Sequence, residues 1–201
     1  MIVKRTVNST DLIVECDQSL KPAAEDVVKK LESLHREGLA LHDGVRIRFG
    51  WSVLTLRAED HSLRVCEPAF DRDPFHDVNP TIDVTLRVLV SQVRVLKRVG
   101  ESGTDVSFEE FLLVRNGALE APSIFLRRQN RASDQDSGWF AGDLDHIESA
   151  GGDLTPIRVY ELLHRRPEVL QALALPIGYT VVMPGGEISQ IFDANGNDRW
   201  I

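Results

Sequence analysis

The chain has 201 residues, of which 42% are hydrophobic, and this is enough for one large core or two small ones. Its net charge of −8 at pH 7 excludes the class of proteins that bind DNA or RNA through a broad basic surface. A basic protein partner is the better electrostatic match.

The cysteines and the start of the chain indicate a cytoplasmic protein. Cys16 and Cys66 each lie in an apolar or strand-like run, which favours two buried free thiols over a disulfide. The first residues contain no apolar stretch of the length that a signal peptide needs, and no run of about 18 apolar residues predicts a membrane helix. We therefore expect neither secretion nor membrane contact.

The N-terminal part of the chain alternates between strand and helix patterns. Residues 12–16 form a short apolar run that is typical of a strand. Apolar side chains at three- and four-residue spacing then predict a helix that Gly38 ends. Three strand-like runs follow, and arginines that alternate with apolar neighbours predict an antiparallel meander with one wet face, over residues 45–49, 52–58 and 63–67.

The strongest helix signal begins at Asn79-Pro80. Asn is a good N-cap and Pro suits the first helical position. An apolar stripe follows, formed by Ile82, Leu86, Leu89, Val93 and Leu96. This stripe predicts a helix that packs across the meander, and a homodimer through the 82–96 helix is the alternative to a monomer.

A short polar segment marks the predicted boundary between two domains. Residues 100–105 contain two glycines and no apolar residue, so we assign residues 1–103 to one domain and residues 104–201 to another. In the second domain we expect a buried strand over residues 123–126. A helix is predicted from Thr155-Pro156 to Pro167, then a second short helix, and finally a hairpin that pairs residues 180–183 with 188–192.

Residues 134–145 form the most unusual stretch of the chain. Gly138 and Gly142 flank an aromatic pair, and neither strand nor helix periodicity runs through the pattern, which predicts a shaped loop. No Lys or Arg lies between residues 131 and 158, whereas six carboxylates do: Asp134, Asp136, Asp143, Asp145, Glu148 and Asp153. We expect this acidic loop to contact a partner, with Trp139 and Phe140 as anchors. In the alternative interpretation, Trp139 is a core residue and the glycines supply backbone turns. The predicted partner-binding set is Asp134, Asp136, Trp139, Phe140, Asp143 and Asp145.

Other chemistries have weaker support in the sequence. Ser137 could be a hydrolase nucleophile with His146 or His164 as its base, but the elbow motif of such enzymes is missing. Asp71, Asp73, His76 and Asp77 lie close together without the spacing of a calcium loop. We predict no catalytic residue, no metal and no cofactor. A regulatory module that binds a peptide along the edge of the 180–192 hairpin is a further alternative.

Several motifs, taken in order, resemble a known bacterial family. They are Gln135-Asp136-Ser137-Gly138-Trp139-Phe140-Ala141-Gly142, Arg158-Val159-Tyr160-Glu161-Leu162-Leu163, Pro167, Leu175-Pro176-Ile177-Gly178-Tyr179 and Asp193-Ala194-Asn195-Gly196. Together they resemble the toxin-immunity domain of the Imm33-like type, formerly a domain of unknown function. The resemblance covers about residues 110–201, and the segment from residue 43 to residue 100 is similar to an N-terminal extension of some members.

The resemblance implies an immunity protein that binds a cognate secreted toxin in the producing cell and neutralises it by stoichiometric contact. The toxin could have a basic active-site cleft that the acidic loop enters. For the fold we expect an α+β protein of two small packed domains, each a mainly antiparallel sheet with one or two helices.

Overall fold

The computed structural model describes residues 1–146 and 153–200. It has an α+β fold with two mixed sheets of six strands each and few helices, which confirms the predicted fold class. The chain divides into two compact units, Met1–Val90 and Ser91–Ile201, here called the N-terminal and C-terminal units. The predicted division into two domains, residues 1–103 and 104–201, stays a prediction.

The N-terminal unit contains one mixed sheet and helix α1. The strands lie in the order β1-β2-β5-β4-β3, with β6 beside β5, and only the β2–β5 pair within this described sheet is parallel. Helix α1 (Lys21–Arg36) packs its apolar stripe on the sheet in one buried cluster. The strands are β1 (Ile2–Val7), β2 (Thr10–Glu15), β3 (Arg46–Phe49), β4 (Ser52–Glu59), β5 (Ser62–Pro68) and β6 (Val78–Asn79).

The predictions for helix α1 and the meander are confirmed, but the strand at the start of the chain was missed. Helix α1 and the meander β3–β5 lie where the periodicity placed them, and Gly38 follows the helix with a φ of 107°. Strand β1 was not predicted. Its alternation of apolar and charged residues is short, and pairing with β2 holds it in the sheet.

Helix α2 (Asp83–Val99) follows the meander as predicted, but it begins later than Asn79-Pro80 because Asn79 pairs with Glu67 in strand β6 and is not the N-cap. Its first turn packs on strands β4 and β5: the Trp51 indole N–H donates to the Thr85 carbonyl (3.2 Å), and the Glu67 carboxylate accepts from the Thr85 N–H (2.6 Å). The predicted stripe is only partly buried, because Ile82 and Leu86 are fully buried whereas Val93 is 45% exposed. The predicted homodimer through this helix stays a prediction.

The C-terminal unit is built on a sheet in the order β10-β7-β9-β8-β11-β12. Strands β7 and β9 are parallel, and the other neighbours in this order are antiparallel. The strands are β7 (Phe111–Arg115), β8 (Ser123–Arg128), β9 (Asp136–Asp143), β10 (Leu154–Arg158), β11 (Thr180–Pro184) and β12 (Gln190–Phe192). The predicted strand at 123–126 and the 180–192 hairpin are therefore confirmed.

One predicted helix of this unit starts too early. Residues Leu154–Arg158 form edge strand β10, which pairs with β7, and not the first turn of a helix. Pro156 is tolerated there because an edge strand can present a missing N–H to solvent. The helical part is shorter: α3 (Leu162–Arg165) lies between 3₁₀ turns at Val159–Glu161 and Pro167–Ala172.

One face of the C-terminal sheet is covered and forms the core of this unit. The side chains of Leu112, Leu126 and Val181 are fully buried there. The segment after α3 lies on this face, since the Trp139 indole N–H donates to the Leu173 carbonyl (2.9 Å). The second half of α2 is tied to the same segment, because the Gln92 amide donates to the Leu170 carbonyl (3.0 Å). None of the helices in the described ranges is long and apolar enough to cross a membrane.

Candidate functional site

The stretch predicted as a loop is an interior strand. Residues Asp136–Asp143 form β9, which lies between β7 and β8. The loop prediction was wrong because buried strands need no polar alternation: β9 is covered along most of its length, and small residues occupy positions where a neighbour approaches closely. Phe125 fills the space beside Gly142, where a methyl group would lie 2.5 Å from its ring.

Gly138 is required by its backbone conformation, whereas Gly142 makes room for a neighbouring ring. Its φ is +76°, and a Cβ at this position would lie 2.3 Å from the Gln129 carbonyl oxygen. Both facts demand glycine, because L-residues avoid this conformation and the neighbouring atom is backbone. The register between β7 and β9 shifts at the same end of the strand, so Gly138 marks an irregularity at the start of β9.

Trp139 lies in the core. Its side chain is 1% exposed, and its indole N–H is bonded to the Leu173 carbonyl. The guanidinium of Arg128, its cross-strand neighbour, lies 5.7 Å from the ring centroid. This position agrees with the alternative interpretation of Trp139 as a core residue, so in this structure the indole is not available to a partner.

The predicted carboxylates are not gathered in one place. Asp134 and Asp136 lie at the start of β9, whereas Asp143 and Asp145 lie at its end, at most about 23 Å away, which is the length of seven fully extended residues. Asp134 and Asp145 are exposed, and Asp136 and Asp143 are half-buried. Glu148 falls outside the described residues. The carboxylates therefore form two separate groups, one at each end of β9, instead of one acidic loop.

The half-buried carboxylates support the backbone. Asp136 accepts hydrogen bonds from the N–H groups of Ala132 (2.8 Å) and Gly138 (2.8 Å), and so it closes the turn that leads into β9. Asp143 accepts one from the N–H of Asp145 (3.0 Å), just beyond the strand. These bonds are typical of Asp side chains that stabilise turns.

Phe140 points to the other face of the sheet. One row of cross-strand neighbours runs from Leu113 through Phe140, Arg127 and Thr180 to Phe192, on five adjacent strands. In the next row, Phe125 lies between Gly142 and Val182. We call this surface the open face; it is defined by Leu113, Phe125, Arg127, Phe140, Thr180, Val182 and Phe192.

The open face is apolar but accessible. Leu113 is 40% exposed, Phe140, Val182 and Phe192 are half-buried, and only Phe125 among its members is buried. Phe125 packs under Phe140 with ring centroids 5.6 Å apart. The face thus combines a buried aromatic ring with accessible apolar side chains, and exposed apolar patches often mark interaction sites.

A hollow of about 660 Å³ opens at one side of this face. Its apolar wall includes Ile177, Val182 and Phe192, and the polar residues Arg127 and Asn130 also line it. Ile177 is 46% exposed. A concave apolar region with a few polar groups is a common form of binding site.

Arg127 and Arg128 have opposite environments, although they are adjacent. Arg127 is exposed on the open face, with its guanidinium 6.0 Å from the Phe125 ring centroid. Arg128 is 1% exposed on the covered face, where it donates to the carbonyls of Thr104 (3.1 Å) and Leu175. Burial lowers the pKa of Arg128 to about 10. Through these hydrogen bonds, Arg128 holds the segments around residues 104 and 175 against the sheet.

The sequence prediction found Phe140 but missed the rest of the open face. Two signals were present. The β7 run alternates Phe111 and Leu113 with Leu112 and Val114, and β8 ends in two consecutive arginines, of which only one can face away from the core. Neither signal identifies a site until the strand order is known.

The described residues do not bring Ser137 together with a histidine base, as the hydrolase alternative would require. Ser137 is fully buried, and its hydroxyl accepts from the Trp139 N–H (3.2 Å). Over residues 1–146 and 153–200, no histidine nitrogen is hydrogen-bonded to it; the His146 side chain lies outside the described part. Among the described residues, no group of His, Cys, Asp and Glu could hold a metal ion. In the 71–77 segment, Asp73 accepts instead from the N–H of Phe75 (3.0 Å).

The peptide-binding alternative lacks a free edge at the predicted place. Strand β11 has β8 on one side and β12 on the other. The outer side of β12 is already engaged, because the Arg199 N–H donates to the Ile191 carbonyl (2.7 Å) and Phe192 pairs with Asp198. A peptide that added to this hairpin would have to displace the C-terminal segment.

Comparison with protein families matches residues 91–194 to the Imm33-like domain, just over half of the chain. The chain belongs to the Imm33-like family. The match confirms the resemblance inferred from the sequence, and it covers the whole sheet that carries the open face. Comparisons with curated proteins and with solved structures give no match.

Proposed function

We propose that this Imm33-like chain is an immunity protein that binds a cognate secreted toxin in the cytoplasm of the producing cell and neutralises it by stoichiometric contact. The match of residues 91–194 to the Imm33-like domain carries the proposal. The open face supports it, because an accessible apolar sheet surface marks a protein-interaction site more often than a catalytic one.

The proposed mechanism is occlusion without chemistry. The chain would lie over the toxin's active site or hold the toxin in an inactive conformation, and neither action needs a nucleophile, a metal or a cofactor. Of the predicted contact residues, Phe140 belongs to the open face, and the exposed carboxylates Asp134 and Asp145 would act at the rim of the interface. Charges at a rim mainly speed association.

Expression together with the toxin-like protein encoded beside this gene tests the function. We expect cells that produce the toxin to grow only when the chain is present, and the purified pair to form a complex of fixed stoichiometry that lacks toxin activity. An unrelated toxin serves as the control and is expected to stay active.

Two results would overturn the proposal. If one molecule of the chain inactivated many toxin molecules, the chain would be an enzyme that modifies the toxin. If the two proteins did not associate and the toxin stayed active, the chain would not be its immunity protein.

A further inference from the structure

We propose that the open face of the C-terminal sheet is the surface that receives the toxin, and that the toxin places a carboxylate on Arg127 and an apolar side chain in the hollow beside it. This inference rests on the proposed function and specifies its contact surface. The partner is thus defined by its chemistry: a protein segment in which an acidic residue lies next to an apolar one.

The open face has the composition and the rigidity of an interface centre. Phe140 and Arg127 are direct cross-strand neighbours, and aromatic residues and arginine are the types enriched where binding energy concentrates. Both stand on interior strands whose neighbours on either side hold the backbone in place. Phe140 is also supported from below by Phe125. Little conformational entropy of side chains or loops would therefore be lost when a partner binds.

Arg127 supplies the charge that selects the partner. Two other arginines of the C-terminal unit have carboxylate partners: Arg131 pairs with Glu110 (3.0 Å), and Arg165 pairs with Glu120 (3.1 Å). Among the described residues, Arg127 has no carboxylate partner, and its guanidinium lies over the Phe125 ring. A guanidinium in the middle of an apolar face is complementary to a carboxylate, which it can bind with two parallel hydrogen bonds.

The hollow supplies the second contact. Ile177, Val182 and Phe192 line it, and Arg127 also contributes to its lining, so one short segment can reach both. Because its wall is apolar at these residues, an aromatic or long aliphatic side chain is the group that it would accept. Apolar anchors in pockets next to a desolvated charge pair are the usual form of a binding hot spot.

The acidic balance of the chain favours a protein over a membrane as the occupant. With a net charge of −8, the chain as a whole is repelled by anionic lipid surfaces. A folded protein presents a carboxylate and an apolar side chain in fixed positions, which matches the fixed positions of Arg127 and the hollow.

A charge reversal at Arg127 tests the inference with the toxin encoded beside this gene as the probe. We expect Arg127→Glu in the full-length chain to raise the dissociation constant by at least about 30-fold, because an unmatched like charge at the centre of an interface costs several kcal/mol. The matched control is Arg94→Glu, which makes the same charge change at another exposed arginine, on α2. We expect a change of less than about 3-fold for it.

A second measurement does not depend on a variant. In hydroxyl-radical footprinting, the wild-type complex should protect Leu113, Phe140 and Phe192, while the exposed Val93 on α2 keeps its reactivity.

A third measurement uses a variant of the toxin. A toxin in which the contacting Asp or Glu is changed to Arg should restore binding to Arg127→Glu.

The outcomes separate this inference from the proposed function. If the wild-type chain neutralises the toxin but Arg127→Glu binds equally well and the three side chains stay reactive, the toxin binds elsewhere and only the inference fails. If the wild-type chain does not bind the toxin, the proposed function fails as well. Protection of the open face by anionic vesicles, without any effect of the toxin, would assign the face to a membrane and overturn the inference.

Discussion

At the scale of single residues, polar groups that are buried in each unit determine local stability. In the C-terminal unit, the Trp139 indole is hydrogen-bonded inside the core. In the N-terminal unit, the Glu67 carboxylate is 1% exposed and accepts from the N–H groups of Val84 (3.2 Å) and Thr85 (2.6 Å). Such groups are costly to bury, and the bonds they make are correspondingly costly to remove.

We expect Trp139→Phe to lower the free energy of unfolding by about 1–3 kcal/mol, because it removes a buried hydrogen bond and leaves part of the indole volume unfilled. The control is Trp200→Phe. Trp200 is half-buried under the Arg98 guanidinium, and its replacement should cost less than about 1 kcal/mol. Chemical denaturation measures both values. Equal stability of Trp139→Phe and the wild type would contradict the core position.

Burial raises the pKa of Glu67 from its usual 4.5 to about 7. The folded state therefore holds this proton at pH values where the unfolded chain has already released it. The resulting stabilisation is fully present below about pH 4.5 and is lost as the pH rises through about 7. A shift of this size corresponds to at most about 3 kcal/mol.

We expect Glu67→Gln to flatten the dependence of unfolding free energy on pH between about 5 and 7.5, since glutamine does not titrate. Urea denaturation at several pH values measures the slope. The exposed Glu187 provides the control, and Glu187→Gln should keep the wild-type slope. If Glu67→Gln kept the wild-type slope, Glu67 would not control the pH dependence of stability in this range.

At the scale of elements, strand β9 depends on the turn before it. Asp136 closes this turn through two backbone N–H groups, and Gly138 provides the positive φ that follows. The aromatic pair then points to opposite faces, with Trp139 toward the core and Phe140 toward the open face. A single turn thus determines which aromatic residue a partner can reach.

We expect Asp136→Ala to lower the free energy of unfolding by about 1–3 kcal/mol, because both backbone donors lose their acceptor. Asp134 is two residues away and exposed, so Asp134→Ala is a matched control that should change stability by less than about 0.5 kcal/mol. Thermal and chemical unfolding measure the difference. Equal effects of the two substitutions would mean that the turn does not depend on Asp136.

At the scale of the whole molecule, charge is distributed unevenly around the open face. Arg127 lies within the face, while the exposed carboxylates Asp134 and Asp145 lie beyond the two ends of β9. An acidic rim around a cationic centre separates two tasks. In the proposed complex, the exposed carboxylates would attract a basic toxin from a distance, and Arg127 would bind a carboxylate on contact.

We expect Asp134→Asn combined with Asp145→Asn to slow association with a basic toxin by about 3- to 10-fold at low ionic strength, with little change in the dissociation rate. Stopped-flow kinetics at several salt concentrations measure this effect. The control combines Asp26→Asn and Asp60→Asn, two exposed residues of the N-terminal unit. If both pairs slow association equally, net charge alone is responsible and the rim has no local role.

The sequence by itself determined the elements whose signals are local. The periodicity of α1 and α2, the alternation of the meander and the glycine-rich hairpin turn each involve neighbouring residues, so they predicted these elements correctly. The N-cap predicted at Asn79 was wrong, because this residue lies in strand β6. The motifs around Trp139 also predicted the family. Local patterns failed at β9 and β10, where burial and an edge position in the sheet override residue preference.

Only the tertiary structure decided which residues share a surface. The open face takes its members from five strands that lie between residues 111 and 192, and their order in the sheet is not their order in the chain. The same order buried Trp139, separated the carboxylates and exposed Arg127 beside the hollow. The physical reason is that side chains alternate strictly along a strand, while the pairing of distant strands determines which face is covered and which neighbours each side chain meets.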